Sequence, residues 1–379
     1  MLPPRAVAAL FVLCAWQPVA LGAQAVGAGP LIQSYHFDDA SAAGLKSIQL
    51  ITSPFAVSVP VVRSVVLSVS GAYASGAARA ESGEKVTLSG LTDTSVDVTF
   101  GLGVDWLVLT ARATVPTGNN THTVAESLVA GVVAAELLPF AIKTWGSGGS
   151  AGATVAAARQ LGRWGLGLSA GYWRAGKYEP LQARTLGYRP GDQFQARLAL
   201  DRNVGSSGTF SILVGVQRFA SDQLGGNELF QSGMRLDGIL SYAFALGLRS
   251  SALLYGGVNH RANGTLLQEA SSLGGATDAP SQQLFVAGAD VRLPLGRRAS
   301  LRPSTEVRVF RAEDGASQGW VSSFGGSLDY RIAGSNSGKR LVVAPMGRVR
   351  LGRVIVTDDL ETSLLGWEAG VTLSFGIGR

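Results

Sequence analysis

The stretch Leu365-Gly-Trp367-Glu-Ala-Gly-Val371-Thr-Leu-Ser-Phe375-Gly-Ile377 alternates without a break. Trp367, Ala369, Val371, Leu373, Phe375 and Ile377 fall on one face, Glu368, Thr372 and Ser374 on the other. Side chains of a strand point alternately to its two faces, so this is a strand with one apolar face, aromatic near both ends, and one polar face. About a dozen further segments repeat the pattern. In an exported chain, such strands are satisfied by closing into a barrel. Every backbone polar group is then paired, the apolar face meets lipid and the polar face meets a water-filled lumen.

Export is read from the other end. Met1-Leu2-Pro3-Pro4-Arg5, an apolar stretch from Ala6 to Ala15 and small residues up to Ala23-Gln24-Ala25 have the form of a secretory signal, expected to span residues 1–25. Cys14 is the chain's only cysteine and lies inside that segment, so the mature chain is expected to hold no disulfide, thiol nucleophile or iron–sulfur cluster. Hydrophobic residues make up 46% of the chain, yet the most apolar later stretch, Leu128 to Ile142, is interrupted by Glu136 and Pro139, both hostile to a spanning helix. Apolar content is therefore dispersed one residue in two, as barrel strands use it. The net charge of +6 comes from scattered basic residues with no cluster suited to nucleic acid.

Alternation places strands near residues 62–79, 86–102, 106–116, 146–160, 164–175, 193–203, 209–219, 230–246, 250–263, 284–293, 301–311, 320–332, 341–353 and 365–377. On the second, Val86, Leu88, Val96, Val98, Phe100 and Leu102 are read as one face. Trp164 and Tyr172 lie eight residues apart on the same face, roughly 26 Å of strand, which suits the two rims of a lipid-facing band. Tight links (103–105, 161–163, 205–208, 247–249) alternate with long ones (117–145, 177–191, 220–228, 264–283). The expected fold is thus all-β, an antiparallel transmembrane barrel of about fourteen strands over residues 61–379, with both termini periplasmic. Residues 26–60 carry Asp38, Asp39, Pro54 and Pro60 and alternate only briefly; they are expected to form an N-terminal periplasmic plug.

This phasing sends Arg112, Arg197, Arg302, Glu306, Arg308, Asp329, Arg331, Arg348 and Arg350 into the lumen, with Asp97, Asp201, Asp290, Arg292 and Glu368. They either brace and solvate the interior or, on the arginine-rich side, form part of a permeation path. The link 117–145 stands apart, because Val124 to Phe140 is helix-like and apolar. It either folds into the barrel mouth and plugs it, or presents Leu128, Val132, Leu137, Leu138 and Phe140 as a reception surface for hydrophobic molecules.

Ser89-Gly90-Leu91-Thr92-Asp93-Thr94 on the second strand and Pro116-Thr117-Gly118 closing the third resemble the SGL-x-D and P-T-G pieces of FadL-like outer-membrane transporters. That family takes up long-chain fatty acids or aromatic hydrocarbons. The resemblance implies fourteen strands, an N-terminal plug and hydrophobic ligands. The chain departs from the fatty-acid branch in lacking an Asn-Pro-Ala start to the plug segment, and it ends Phe375-Gly-Ile-Gly-Arg379 without a terminal aromatic.

No catalytic constellation is evident: His36, His122 and His260 are dispersed, with no H-E-x-x-H and no G-x-S-x-G, so neither enzyme chemistry, nor a metal, nor a cofactor is expected. The expected partners are the lipid bilayer, the barrel-assembly machinery and a small hydrophobic molecule. The expected function is passive uptake of such solutes across a bacterial outer membrane, the alternatives being a general or anion-preferring porin or a purely structural barrel.

Overall fold

The computed structural model describes residues 24–62, 64–182, 187–205, 207–267, 278–333, 339–357 and 360–377. The export signal therefore lies outside the described residues, apart from Gln24 and Ala25. In chain order the strands are β1 (Gln24–Ala28), β2 (Leu31–Phe37), β3 (Leu45–Val62), β4 (Val65–Ala80), β5 (Lys85–Leu91), β6 (Thr94–Gly101), β7 (Leu107–Val115), β8 (Ser150–Leu161), β9 (Trp164–Ala175), β10 (Tyr188–Arg189), β11 (Gln193–Val204) and β12 (Gly208–Phe219). There follow β13 (Ser221–Leu224), β14 (Asn227–Gln231), β15 (Arg235–Ala245), β16 (Ser251–Arg261), β17 (Gly264–Leu266), β18 (Asp278–Ala279), β19 (Gln282–Leu295), β20 (Ala299–Ala312), β21 (Ser317–Ala333), β22 (Lys339–Thr357) and β23 (Leu360–Ile377). Among the described residues two helices, α1 (Ala40–Ala43) and α2 (Val124–Ala134), interrupt them.

Each wall strand pairs antiparallel with the next, and β23 closes the circle onto β1 and β2. β1 and β2 share the neighbours β3 and β23, so they are one wall strand broken at Gly29-Pro30. β5 and β6 both lie along β4 and are one strand broken at Thr92-Asp93. The barrel so counted has sixteen strands, not fourteen. All fourteen expected segments lie in the wall. The further two come from residues 24–62, which belong to the wall instead of forming an N-terminal plug.

The prolines that argued against strands there are accommodated by a local device. Proline has no N–H to give a ladder. Pro54 sits between Thr52, paired with Leu31, and Phe55, paired with Ala28, and so lies opposite the Gly29-Pro30 break, where the neighbouring ladder is already interrupted. Pro60 lies past Ser58, the last residue of β3 paired with β1, and next to a register shift against β4.

A second break reverses a phase. Along β4 and β5, Gly76 pairs with Leu88; along β4 and β6, Val69 pairs with Val96, a slip of one residue across Thr92-Asp93. Such a slip turns every later side chain to the opposite face. Val86 and Leu88 therefore point into the barrel while Val96, Val98 and Phe100 point out, correcting the single apolar face read for this segment. Thr92 holds the break closed: its N–H donates to Ala72 O at 2.7 Å and its hydroxyl accepts from Ala72 N at 2.9 Å.

The outer face carries the apolar band. Trp164, Leu168, Tyr172, Phe194, Leu198, Val214, Leu240, Leu254, Trp320, Phe324, Val349, Trp367 and Leu373 are all exposed. Trp164 and Tyr172 stand near the two ends of β9, with the Arg202 guanidinium 4.8 Å above the Trp164 ring. The rim that carries both chain ends has the short turns. The opposite rim carries the long connections, three of which supply β10, β13, β14, β17 and β18 to a five-stranded sheet beyond the barrel. Among the described residues no helix is long and apolar enough to cross a membrane.

Candidate functional site

The connection from β7 to β8 enters the lumen, and Asp93 at the break of the β5/β6 strand anchors it at both ends. Its carboxylate accepts from Gly118 N at 3.0 Å, from Ser147 N at 2.7 Å and from Ser147 Oγ at 3.1 Å, while its own N–H donates to Trp145 O at 2.9 Å. Thr117 Oγ1 donates to Thr92 O at 3.0 Å. Gly118 has no alternative here, because a Cβ would fall 2.0 Å from Trp145 O and 2.7 Å from Asp93 N. The SGL-x-D and P-T-G pieces are thus neighbours in space, and together they form the hinge from which the loop turns inward.

Between its anchored ends the loop builds α2. Thr123 caps it with a reciprocal capping box: Glu126 N donates to Thr123 Oγ1 at 3.2 Å and Thr123 N to Glu126 Oε2 at 2.7 Å. Val129 and Val133, one turn apart, are buried against the inward side of β4 and β5, with Ala74, Ala78 and Leu88. Gly76 makes the close approach possible, since a Cβ there would lie 2.8 Å from Val129 Cγ1. Leu137, Leu138, Phe140 and Trp145 join the same cluster, which includes Tyr35, Ile48, Leu50, Val321 and Leu364 of the wall.

The five apolar residues singled out in the sequence therefore divide. Leu137, Leu138 and Phe140 are buried, Phe140 edge-on to Tyr35 with ring centroids 5.0 Å apart. Val132 is half-buried, and Leu128 is exposed. The free side of α2 consists of Val124, Ala125, Leu128, Gly131 and Ala134, all apolar; Val124 is 75% exposed.

Polar wall residues lock the far part of the loop. Gln33 donates to Glu368 Oε2 at 2.8 Å and to Pro139 O at 2.9 Å, and accepts from Ala141 N at 2.7 Å. Glu368 forms an ion pair with Arg350 in which both side chains are buried, and Arg350 also donates to Tyr35 OH at 2.8 Å. Arg308 donates to Glu136 O at 3.3 Å and to Glu306 Oε1 at 2.8 Å; Glu306 accepts in addition from Tyr255 OH at 2.8 Å. Lys143 donates to Ala135 O and Leu138 O at 2.7 and 2.9 Å. Burial, reinforced by the nearby Arg308 charge, pulls the Lys143 ammonium down to about 8, against an opposing pull from Glu136.

The remaining lumen charges are spread round the wall. Arg112 pairs with Asp97 on β6, and Arg302 with Asp329 on β21 at 2.8 Å. Arg348 donates to Ser304 Oγ at 3.2 Å. Arg197 faces inward on β11, and Arg331 faces inward on β21 near the rim that carries the chain ends. Sequence reasoning passed over Gln33, Tyr35, Asp93, Arg235 and Arg261 as site residues. Only Asp93 carried a signal, its place in the SGL-x-D piece. The three histidines lie on β2, in the loop before α2 and on β16, and among the described residues no cluster fit for a metal is present.

No protein-family model and no curated protein matches the sequence. Solved structures do match. CdiB from Acinetobacter baumannii superposes with a TM-score of 0.50 at 10% identity, over 95% of this chain and 61% of that one. A deletion mutant of the TodX monoaromatic hydrocarbon channel gives 0.44 at 10% identity, over 94% and 91%. The outer membrane protein opdK from Pseudomonas aeruginosa gives 0.44 at 13% identity, over 93% and 99%. What the chain shares with these structures is the fold, the outer-membrane type of transmembrane β-barrel.

Proposed function

We propose that this chain is an outer-membrane channel for the passive uptake of small hydrophobic solutes, exported by residues 1–25 and inserted by the barrel-assembly machinery. The rim bearing the chain ends then faces the periplasm, and the long connections and the five-stranded sheet face outward. One observation carries the solute class: α2 is apolar on the side that packs on the wall and equally apolar on the side that does not. A free apolar face held in the lumen gives a hydrophobic solute a surface to leave water for, worth about 25 cal/mol per Å² covered. The reception surface is Val124, Leu128 and Gly131, with Leu137, Leu138 and Phe140 acting as the packing that holds the helix in place.

The test is uptake of a hydrophobic probe such as toluene by cells carrying Val124→Asp with Leu128→Asp. Both positions are exposed, so heat-modifiable barrel assembly should be unchanged while uptake falls. Normal uptake by the assembled variant would overturn the reading. The porin alternative is favoured by the wall charges of both signs; it predicts steady conductance and no dependence on either residue.

A further inference from the structure

Where the inserted loop reaches across the lumen, its tip meets two arginines that have too few partners. Arg235 and Arg261 begin β15 and end β16, and are direct cross-strand partners at the rim away from the chain ends. Like charges set opposite each other on one face repel, so the pair is held at a cost unless an anion lies between them. Among the described residues the only carboxylate paired with either is Glu136 of the loop, whose Oε1 is 3.7 Å from Arg235 Nη1. That is well beyond the 2.7–2.9 Å of a good charge-assisted hydrogen bond. Among the described residues Arg235 Nε is buried and has no hydrogen-bond partner, and the guanidinium otherwise lies over the Phe219 ring at 5.5 Å. Arg261 donates to a neutral oxygen, that of Gln282, and among the described residues forms no ion pair. Of the wall carboxylates, Glu306 is already engaged by Arg308 and Tyr255, and Asp237, two residues from Arg235 on the same inward face, forms no ion pair with either arginine among the described residues.

From this we infer that Arg235 and Arg261 form a binding site for a solute's anionic group, and that Glu136 is its built-in competitor. The incoming group takes the place of the Glu136 carboxylate between the two guanidiniums, with Arg235 Nε as a donor that Glu136 leaves unused. Displacing Glu136 frees the loop tip from β15 while the Asp93 anchor stays closed. The site thus selects for an anionic oxygen at the lumen mouth, independently of what apolar body is attached to it. The inference rests on the chain being a channel, not on the free face of α2.

The test uses 4-fluorobenzoate and its neutral counterpart 4-fluorobenzamide with the full-length, detergent-solubilised barrel, followed by fluorine NMR line broadening. Benzoate should bind saturably and benzamide should not. Glu136→Gln, which removes the competitor, should tighten binding by about threefold or more, the worth of a partly exposed ion pair. Arg235→Gln with Arg261→Gln should abolish it, whereas Arg353→Gln, on the outer face, should leave it unchanged. Equal binding of the two probes, or benzoate binding that survives the double substitution, would overturn the site. The same variants in planar bilayers separate the two readings. A barrel that binds benzoate yet conducts nothing and takes up no probe defeats the channel reading; one that conducts without benzoate binding defeats only this inference.

Discussion

Trp145 donates its indole N–H to the carbonyl oxygen of Ala74 at 3.1 Å, tying the end of the inserted loop to a wall strand 71 residues earlier in the chain. Its own carbonyl oxygen is held by Asp93 N, and the Asp93 side chain reaches both Gly118 and Ser147. The loop is thereby closed at its base by one carboxylate, and everything beyond that base is free to pack inside the lumen.

Asp93→Ala should therefore release the loop and leave the barrel intact. Three hydrogen bonds to a charged acceptor disappear together, a loss of about 2–4 kcal/mol from loop anchoring. Limited proteolysis should cut between residues 118 and 147 in the variant and not in the parent, while the heat-modifiable mobility of the barrel stays the same. Gly118→Ala should open the same sites by the opposite route, forcing a Cβ against Trp145 O. Resistance of both variants to protease would show that Asp93 does not hold the loop.

The wall makes a face-by-face prediction. Leu168 on β9 is exposed to the lipid side and Ser169 faces the lumen, and Val371 and Thr372 on β23 divide in the same way. Lysine at Leu168 or Val371 should cost about 2–4 kcal/mol of barrel stability near the bilayer midplane, and lysine at Ser169 or Thr372 little. Urea unfolding from vesicles measures the difference. Equal losses on both faces would show the phasing to be wrong.

Alternation made the fold class and fourteen of its strands readable, because lipid on one side and water on the other impose period two on the sequence. It failed where the ladder is broken. Gly29-Pro30 and Pro54 face each other across neighbouring strands, and two prolines that look hostile in sequence excuse one another in space. The one-residue slip at Thr92-Asp93 leaves no compositional trace, since Leu88 and Val96 have the parity of a single face and only pairing with β4 separates them. The loop was legible as an apolar helix but not by orientation. Beyond Glu126 and Ser127 in its first turn, the helix is apolar on every side, so nothing in the spacing says that Leu138 meets the wall and Leu128 the lumen. Gln33, Arg235 and Arg261 carry no motif at all; the barrel's closure alone brings them to the loop.

Lys143 gives the loop a pH dependence. Its pKa falls from 10.5 to about 8 when the loop is packed, chiefly by burial. The released loop then binds more protons than the packed one between those values, so packing strengthens as pH rises from about 8 towards 10.5. Below pH 8 the cost of burying the ammonium is present in full. Protease resistance of the loop should accordingly increase from pH 7 to pH 9.5. Lys143→Met should remove that increase, because no titrating group is left at this position. An unchanged pH profile in the variant would assign the effect elsewhere.

The buried pair of Arg350 and Glu368 yields a prediction in which the single and double substitutions differ in kind. Both side chains are almost wholly removed from solvent, and their outer hydrogen bonds run to Tyr35 and Gln33, two of the wall residues in contact with the loop. Removing one partner strands the other charge: Arg350→Met should cost about 3–5 kcal/mol, since Glu368 then keeps only the Gln33 amide. Removing both spares the desolvation of two ions, so Arg350→Met with Glu368→Leu should recover most of that loss in unfolding experiments. Stability and loop order should nevertheless part company in the double variant. Gln33 still bonds Pro139 and Ala141, but without Glu368 nothing fixes its amide, and Tyr35 loses the donor that orients its hydroxyl beside Phe140. The barrel should regain its unfolding midpoint while the loop near Pro139 becomes open to protease. A double variant as unstable as Arg350→Met would mean that the pair contributes net stability to the wall, and its role would then be to hold the barrel closed at β22 and β23, with the loop merely resting on it.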